Sequence, residues 1–107
     1  MNITLFTKPL SVNSCWRGQR YKTPEYTRYE KQIIALLPDC DLTDVHTLHI
    51  EFGFSNKASD LDNPVKPLVD ILQKKYGFND RDIYELHIKK TIVPKGNEYI
   101  QINFVSL

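Results

Sequence analysis

The hydrophobic pattern of this chain predicts an α+β fold, with a mixed β-sheet and two helices in the order β-α-β-α-β-β. Three observations carry that expectation. From Val45 to Phe54 the period is two: Leu48, Ile50, Phe52 and Phe54 face one way, and Thr47, His49, Glu51 and Gly53 the other. Two stretches switch to helical spacing, each opened by a polar residue followed by proline. The last third returns to period two in two runs, parted by Pro94-Lys95-Gly96-Asn97. With 107 residues, 41% of them hydrophobic, the chain is expected to form one domain with its own core.

In chain order, Ile3 and Leu5, with Thr4 and Phe6, suggest a short first strand that Lys8-Pro9 ends. A loop from Ser11 to Lys22 follows, without a clean period and mixing cations with aromatics. Such a loop suits a phosphate backbone, with Trp16 or Tyr21 stacked on a base. It equally suits a loop pinned to the core by the same rings. Thr23-Pro24-Glu25 starts the first helix by cap, proline and an acid at the positive end of the dipole. Tyr26, Tyr29, Ile33, Leu36 and Leu37 mark its apolar stripe, and Pro38 closes it.

The strand over 45–54 runs through Ser55-Asn56-Lys57-Ala58 into Asp60. Asn63-Pro64 then opens the second helix, where Val65, Leu68, Val69 and Leu72 keep the i, i+3, i+4, i+7 spacing. Gly77 is its natural stop, after Lys74 and Lys75 at the negative end. Beyond Asn79-Asp80-Arg81-Asp82, Tyr84, Leu86, Ile88 and Ile92 alternate with Ile83, Glu85, His87 and Lys89. Ile100, Ile102 and Phe104 form the inner face of the last strand.

Lys plus Arg is 14 and Asp plus Glu 13, a formal charge of +1, so overall charge says little about partners. No membrane-length apolar run and no secretory leader is visible, so a cytoplasmic protein with reduced thiols is expected. Cys15 and Cys40 lack metal-ligand spacing and read as buried structural thiols.

The chemistry concentrates at Asp60-Leu61-Asp62-Asn63. If the chain is extended there, both carboxylates point to one side and repel unless a cation lies between them. Magnesium suits such a pair, because it takes carboxylate oxygens and fills its shell with water and substrate phosphate. Asp80 or Asp82, returned by the second helix, is expected to supply a third carboxylate for a phosphoryl-transfer site. Lys66 shares a helix face with Asp70 and is placed to offset charge on a phosphate. By themselves these residues also read as a helix cap and a surface ion pair worth under about 1 kcal/mol. A calcium loop fails, since Pro64, Val65 and Ile71 stand where the EF-hand needs an acid, glycine and glutamate. A zinc site is poorly supported: His46 and His49 are expected on opposite faces of one strand, and His87 stands alone.

Asp60-Leu61-Asp62-Asn63, Lys66, Asp70, Gly77-Phe78-Asn79-Asp80 and a strand reaching Lys89-Lys90 together resemble the RusA family of Holliday junction resolvases. Pro9-Leu10-Ser11-Val12-Asn13 and the run to Tyr21 resemble that family's N-terminal region more loosely. The resemblance implies a RusA-like fold and a symmetric homodimer that cuts four-way DNA junctions in recombination and repair, in a bacterial cell or encoded by a phage or prophage. It implies Mg2+, with Mn2+ expected to substitute. Asp60, Asp62 and Asp80 match the family's metal-binding acids and Lys66 its essential lysine. Asp70 matches a recurrent helix acid. The family often has two adjacent acids in the loop, and here the first is Asn79, which makes Asp82 a further candidate. Asn13, Trp16, Arg17, Arg20, Lys22, Arg28, Lys74, Lys75, Lys89 and Lys90 are the DNA-binding candidates. Two other readings remain: a nuclease for forks or flaps, and a non-catalytic phage module that binds DNA or protein.

Overall fold

A computed structural model describes the chain except Met1, Gln19, Arg20, Thr43 and Leu107, and describes Asp80 and Ser106 by backbone alone. The α+β expectation holds. Four strands form a mixed sheet in the order β1-β6-β4-β5: β1 (Asn2–Leu5), β4 (Val45–Phe54), β5 (Glu85–Ile92) and β6 (Tyr99–Ser106). β6 is antiparallel to both its neighbours, and β4 pairs in parallel with β5. Helices α1 (Pro24–Leu36) and α2 (Val65–Tyr76) make the second layer. The loop read without a period holds a single turn at Val12–Ser14 and a two-stranded ribbon of β2 (Trp16–Arg17) and β3 (Tyr21–Lys22). Two-residue strands carry too little alternation to be visible in a sequence.

The core is one cluster between the layers. Leu48, Ile50, Phe52, Ile100, Ile102 and Phe104 supply the sheet side, and Tyr26, Tyr29, Ile33, Leu68, Ile71 and Leu72 the helix side. The alternation expected for β4 and β6 is therefore what the packing uses. Leu36 departs from its expected stripe and is half exposed, because α1 ends there and Leu37 turns in instead. β5 departs further. Leu86 is 43% exposed, since an edge strand leaves part of its apolar face uncovered, and Tyr84, just ahead of the strand, is 75% exposed. Cys15 is buried, but Cys40 is exposed, in the polar stretch after α1; both thiols are free.

Local chemistry sets the ends. Thr23 Oγ1 accepts the Tyr26 N–H at 3.1 Å, which caps α1, and donates to Ser14 O at 2.6 Å. Gly77 takes φ 78° and its N–H reaches Gln73 O at 2.7 Å, a left-handed stop that an L side chain resists. The start of α2 differs from expectation. Pro64 occupies the cap position, no side chain caps the helix, and Asn63 instead donates to Asp60. Among the described residues, no helix is long and apolar enough to cross a membrane.

β4, α2 and β5 form a parallel crossover unit. α2 lies obliquely over the sheet. Its first turns, at Val65 and Val69, line one cavity with Leu86 and Ile88 of β5, whereas Tyr76 at its other end packs edge-on to Phe104 of β6 at 5.7 Å. That slant matters below, because it carries the start of α2 towards the segment that leads into β5.

Candidate active-site cleft

β4 ends at Phe54, and residues 55–64 leave it as a surface loop. The Phe54 carbonyl accepts the Val93 N–H at 2.8 Å, and Ser55 Oγ donates to Glu98 at 3.0 Å, so the loop departs from a fixed point. Asn56 shapes the next turn: its Oδ1 accepts the Ala58 N–H at 2.9 Å and its carbonyl the Ser59 N–H at 3.2 Å. The far end is tied to the N-terminal segment, where the Val12 N–H reaches Asn63 O at 2.9 Å.

Asp60 and Asp62 are both exposed on this loop. The chain bends at Leu61 and Asp62, and a turn follows, with the Val65 N–H closing on Asp62 O at 3.1 Å. The extended geometry that would aim both carboxylates one way is absent. Asp60 accepts from Asn63 Nδ2 at 3.2 Å and lines a depression of about 310 Å³ with Lys8, Ser11 and Glu25. Asp62 lines a different, larger cleft of about 480 Å³. A bend at Leu61 and Asp62 takes the place of the expected extended segment.

The larger cleft brings together parts distant in sequence. Asp62, Val65, Lys66 and Val69 form one wall, Leu48 the floor, and Ile83, Leu86 and Ile88 the other wall. Ile83 directly follows the single turn Asp80–Asp82, so the second acidic segment adjoins the wall opposite Asp62 and Lys66. Asn79 organises that turn. Its Oδ1 accepts the Arg81 N–H at 3.1 Å and its carbonyl the Asp82 N–H at 2.9 Å. A turn-forming role accounts for asparagine at this position. Asp82 is exposed, and the Asp80 side chain lies outside the described atoms. Among the described residues, no three His, Cys, Asp or Glu side chains gather closely enough to hold one ion. That set leaves out Asp80, the third expected ligand.

Lys66 stands in the first turn of α2, 65% exposed, with its Nζ 2.9 Å from Asp70 Oδ1. The pairing expected from their spacing is present. Near it, burial pushes the Cys15 thiol up to about 11, with the Glu25 and Asp70 charges adding to the shift. Cys15 is therefore inert packing.

The basic candidates divide. Lys22 and Lys74 both hold Glu30, at 2.9 and 2.7 Å, which ties β3, α1 and α2 together. Burial alone would raise the Glu30 carboxyl, but the Lys74 and Lys22 hydrogen bonds outweigh it and hold Glu30 below the usual range. Lys75 pairs with Asp39 at 2.8 Å, and Lys89 lies 3.7 Å from Glu51. Lys90 turns inward to the loop carbonyls of Lys57 and Ser59. Arg17, Arg28 and Asn13 are exposed, and no ion pair joins either arginine to another described residue. Arg20 lies outside the described residues. Trp16 is pinned edge-on to Tyr26 at 5.7 Å yet 40% exposed, whereas Tyr21 is 74% exposed. Of the two rings, Tyr21 is the more open to solvent.

On the opposite, polar face of the sheet, His87 is not alone. It stands across from His49 in the parallel register, and the rings stack at 4.4 Å. His46 stacks separately on Tyr84 at 5.6 Å. No family model matches this chain, and no curated protein matches it.

Proposed function

We propose that this chain is a magnesium-dependent endonuclease of the RusA type that cuts branched DNA, four-way junctions foremost, as a homodimer. What supports the reading most is the cleft that places Asp62 and Lys66 across from Ile83, directly after the Asp80–Asp82 turn. Asp62 and Lys66 thus line the cleft itself, Asp60 lies in the neighbouring depression, and the downstream acids adjoin the far wall.

The donor set fits a hard cation. The acids at the cleft and its approaches offer carboxylate oxygens, and no histidine or cysteine lines it. Asp62, Asp60 and Asp80 are the residues that would hold magnesium, with Asp82 as the alternative third acid. When bound, the ion supplies the charge that activates water and stabilises the departing 3′ oxygen. Lys66 adds a positive charge at the phosphate, and Asp70 holds its ammonium at the cleft edge. The apolar walls from Val65, Val69, Leu86 and Ile88 limit water around the reacting group, which strengthens these charges. Arg17, Arg28 and Tyr21 are the residues freest to meet DNA.

The test is cleavage of a synthetic four-way junction with magnesium and with chelator, beside fork and linear duplex. The wild-type chain is expected to nick the junction fastest and only with the metal, and Asp62→Asn is expected to lose the activity. Equal cutting by Asp62→Asn overturns the site. Faster cutting of forks moves the substrate class. DNA binding with neither cleavage nor magnesium affinity makes the chain a binding module.

A further inference from the structure

Lys90 occupies a position that its residue type does not suggest. It lies on β5 opposite Phe52, in step with Ile88 and Ile92, where the strand faces the helical layer. An apolar side chain is the ordinary occupant there. Its stem instead runs past the Phe54 ring, with Nζ 5.9 Å from the ring centre, and its head reaches beyond the sheet. There the ammonium donates to Lys57 O at 2.7 Å and to Ser59 O. Both acceptors are backbone carbonyls of the loop that carries Asp60 and Asp62, more than 30 residues away in sequence.

We propose that Lys90 is a positioning residue: its ammonium sets the 57–59 segment and so the place of Asp60 and Asp62, rather than binding DNA. The functional half of this inference rests on the nuclease reading above. Three features favour it. Two of the three ammonium donors are spent on carbonyls, so little remains for a phosphate. The residue is half buried, unlike the exposed Lys89 beside it. Among the described residues, the loop has few other ties between Ser55 and Asp60, where Asn56 braces it from within. Hydrogen bonds to an ammonium are stronger than neutral ones, so this clamp outweighs the Asn56 turn as a restraint.

The experiment compares wild type, Lys90→Met and Lys90→Arg by two independent readouts. The first is amide hydrogen exchange at Ala58 and Ser59. Lys90→Met is expected to speed exchange there and leave β4 and β6 protected, with Lys90→Arg restoring part of the protection. Unchanged exchange overturns the clamp, whether or not the chain cuts DNA. The second readout is junction cleavage against magnesium concentration. Loss of a group that orients metal ligands typically costs about 10–100-fold in metal affinity or activity, and Lys90→Met is expected to show that loss at unchanged junction affinity. Weaker junction binding instead, with the salt slope reduced by about 1 and the magnesium profile unchanged, makes Lys90 a phosphate contact and overturns positioning. Wild type that cuts no branched DNA removes the nuclease reading alone, and exchange still decides the clamp.

Discussion

Lys66→Met separates a catalytic lysine from a structural one, because the structure makes the two costs very different. The Lys66 side chain is 65% exposed and that of Asp70 36%, at i, i+4 on α2. An exposed helical pair of this kind contributes about 0.3–0.5 kcal/mol. For a domain of this size, 1 kcal/mol shifts the melting temperature by about 4–8 °C, so the loss expected from the pair is a few degrees at most. Methionine keeps the length and helix preference of the lysine stem, so α2 itself is undisturbed. Charge stabilisation of a transition state is worth far more. Removing one such group costs about 10²–10³ in rate, or about 2.7–4 kcal/mol.

Thermal melting and junction cleavage on the same preparation measure both quantities. The expected result is a nearly wild-type melt with cleavage down by about two orders of magnitude or more. Asp70→Asn is the matched control. It breaks the same ion pair but leaves the ammonium at the cleft, and is expected to cost less activity than Lys66→Met. Cleavage by Lys66→Met at the wild-type rate refutes the role assigned to this lysine. So does a melt that falls as far as the activity does, since the loss would then report unfolding.

Two further outcomes follow from packing and charge. At Gly53 an added Cβ would stand 2.5 Å from Tyr99 Cδ1 and Cε1, so Gly53→Ala must displace a ring whose hydroxyl donates to Glu51. The expected loss is about 1–3 kcal/mol by denaturant titration, partly recovered when Tyr99→Ala is added; an unchanged midpoint would show that the ring moves freely. Glu30 is held below its ordinary value of 4.5 by Lys74 and Lys22, so its contribution to stability is present above 4.5 and lost as pH falls through its lowered folded value. Melting curves of wild type and Glu30→Gln are therefore expected to differ near neutral pH and to converge in acid, and a constant gap across that range would rule out the carboxylate as the source.

Much of the fold was legible because burial and period coincide. β4 and β6 bury one face each, and their alternation reads directly into the core. Thr23-Pro24 worked for the same reason: the cap bond is local and needs nothing distant. Where an element's environment is decided elsewhere, the pattern misled. Leu86 looks like a core residue, but the edge position of β5 leaves it exposed, and strand order is not written in the local sequence of a strand. The His49–His87 stack was invisible for the related reason that it depends on parallel register.

The acidic motif and its lysine stood out by residue type, but their geometry did not follow from the sequence. D-x-D was expected to aim two carboxylates one way, but that inference assumed an extended chain. The strand stops at Phe54, and six residues later the backbone is turning towards α2. What brings Asp62 and Lys66 opposite Ile83 is instead the slant of α2 across the sheet. A helix aligned with β4 would leave the start of α2 and the approach to β5 at opposite ends of the unit, because a parallel crossover must return the chain to the beginning of the next strand. Asp62 and Asp80 would then be separated by about the length of the helix, at 1.5 Å rise per residue. The residues that hold this slant are apolar: Leu68, Ile71 and Leu72 are fully buried, and Tyr76 is fixed by Phe104 and by its hydrogen bond to Pro38 O at 2.7 Å. The distance of Asp62 and Lys66 from Ile83 therefore rests on how these buried side chains seat α2 against the sheet.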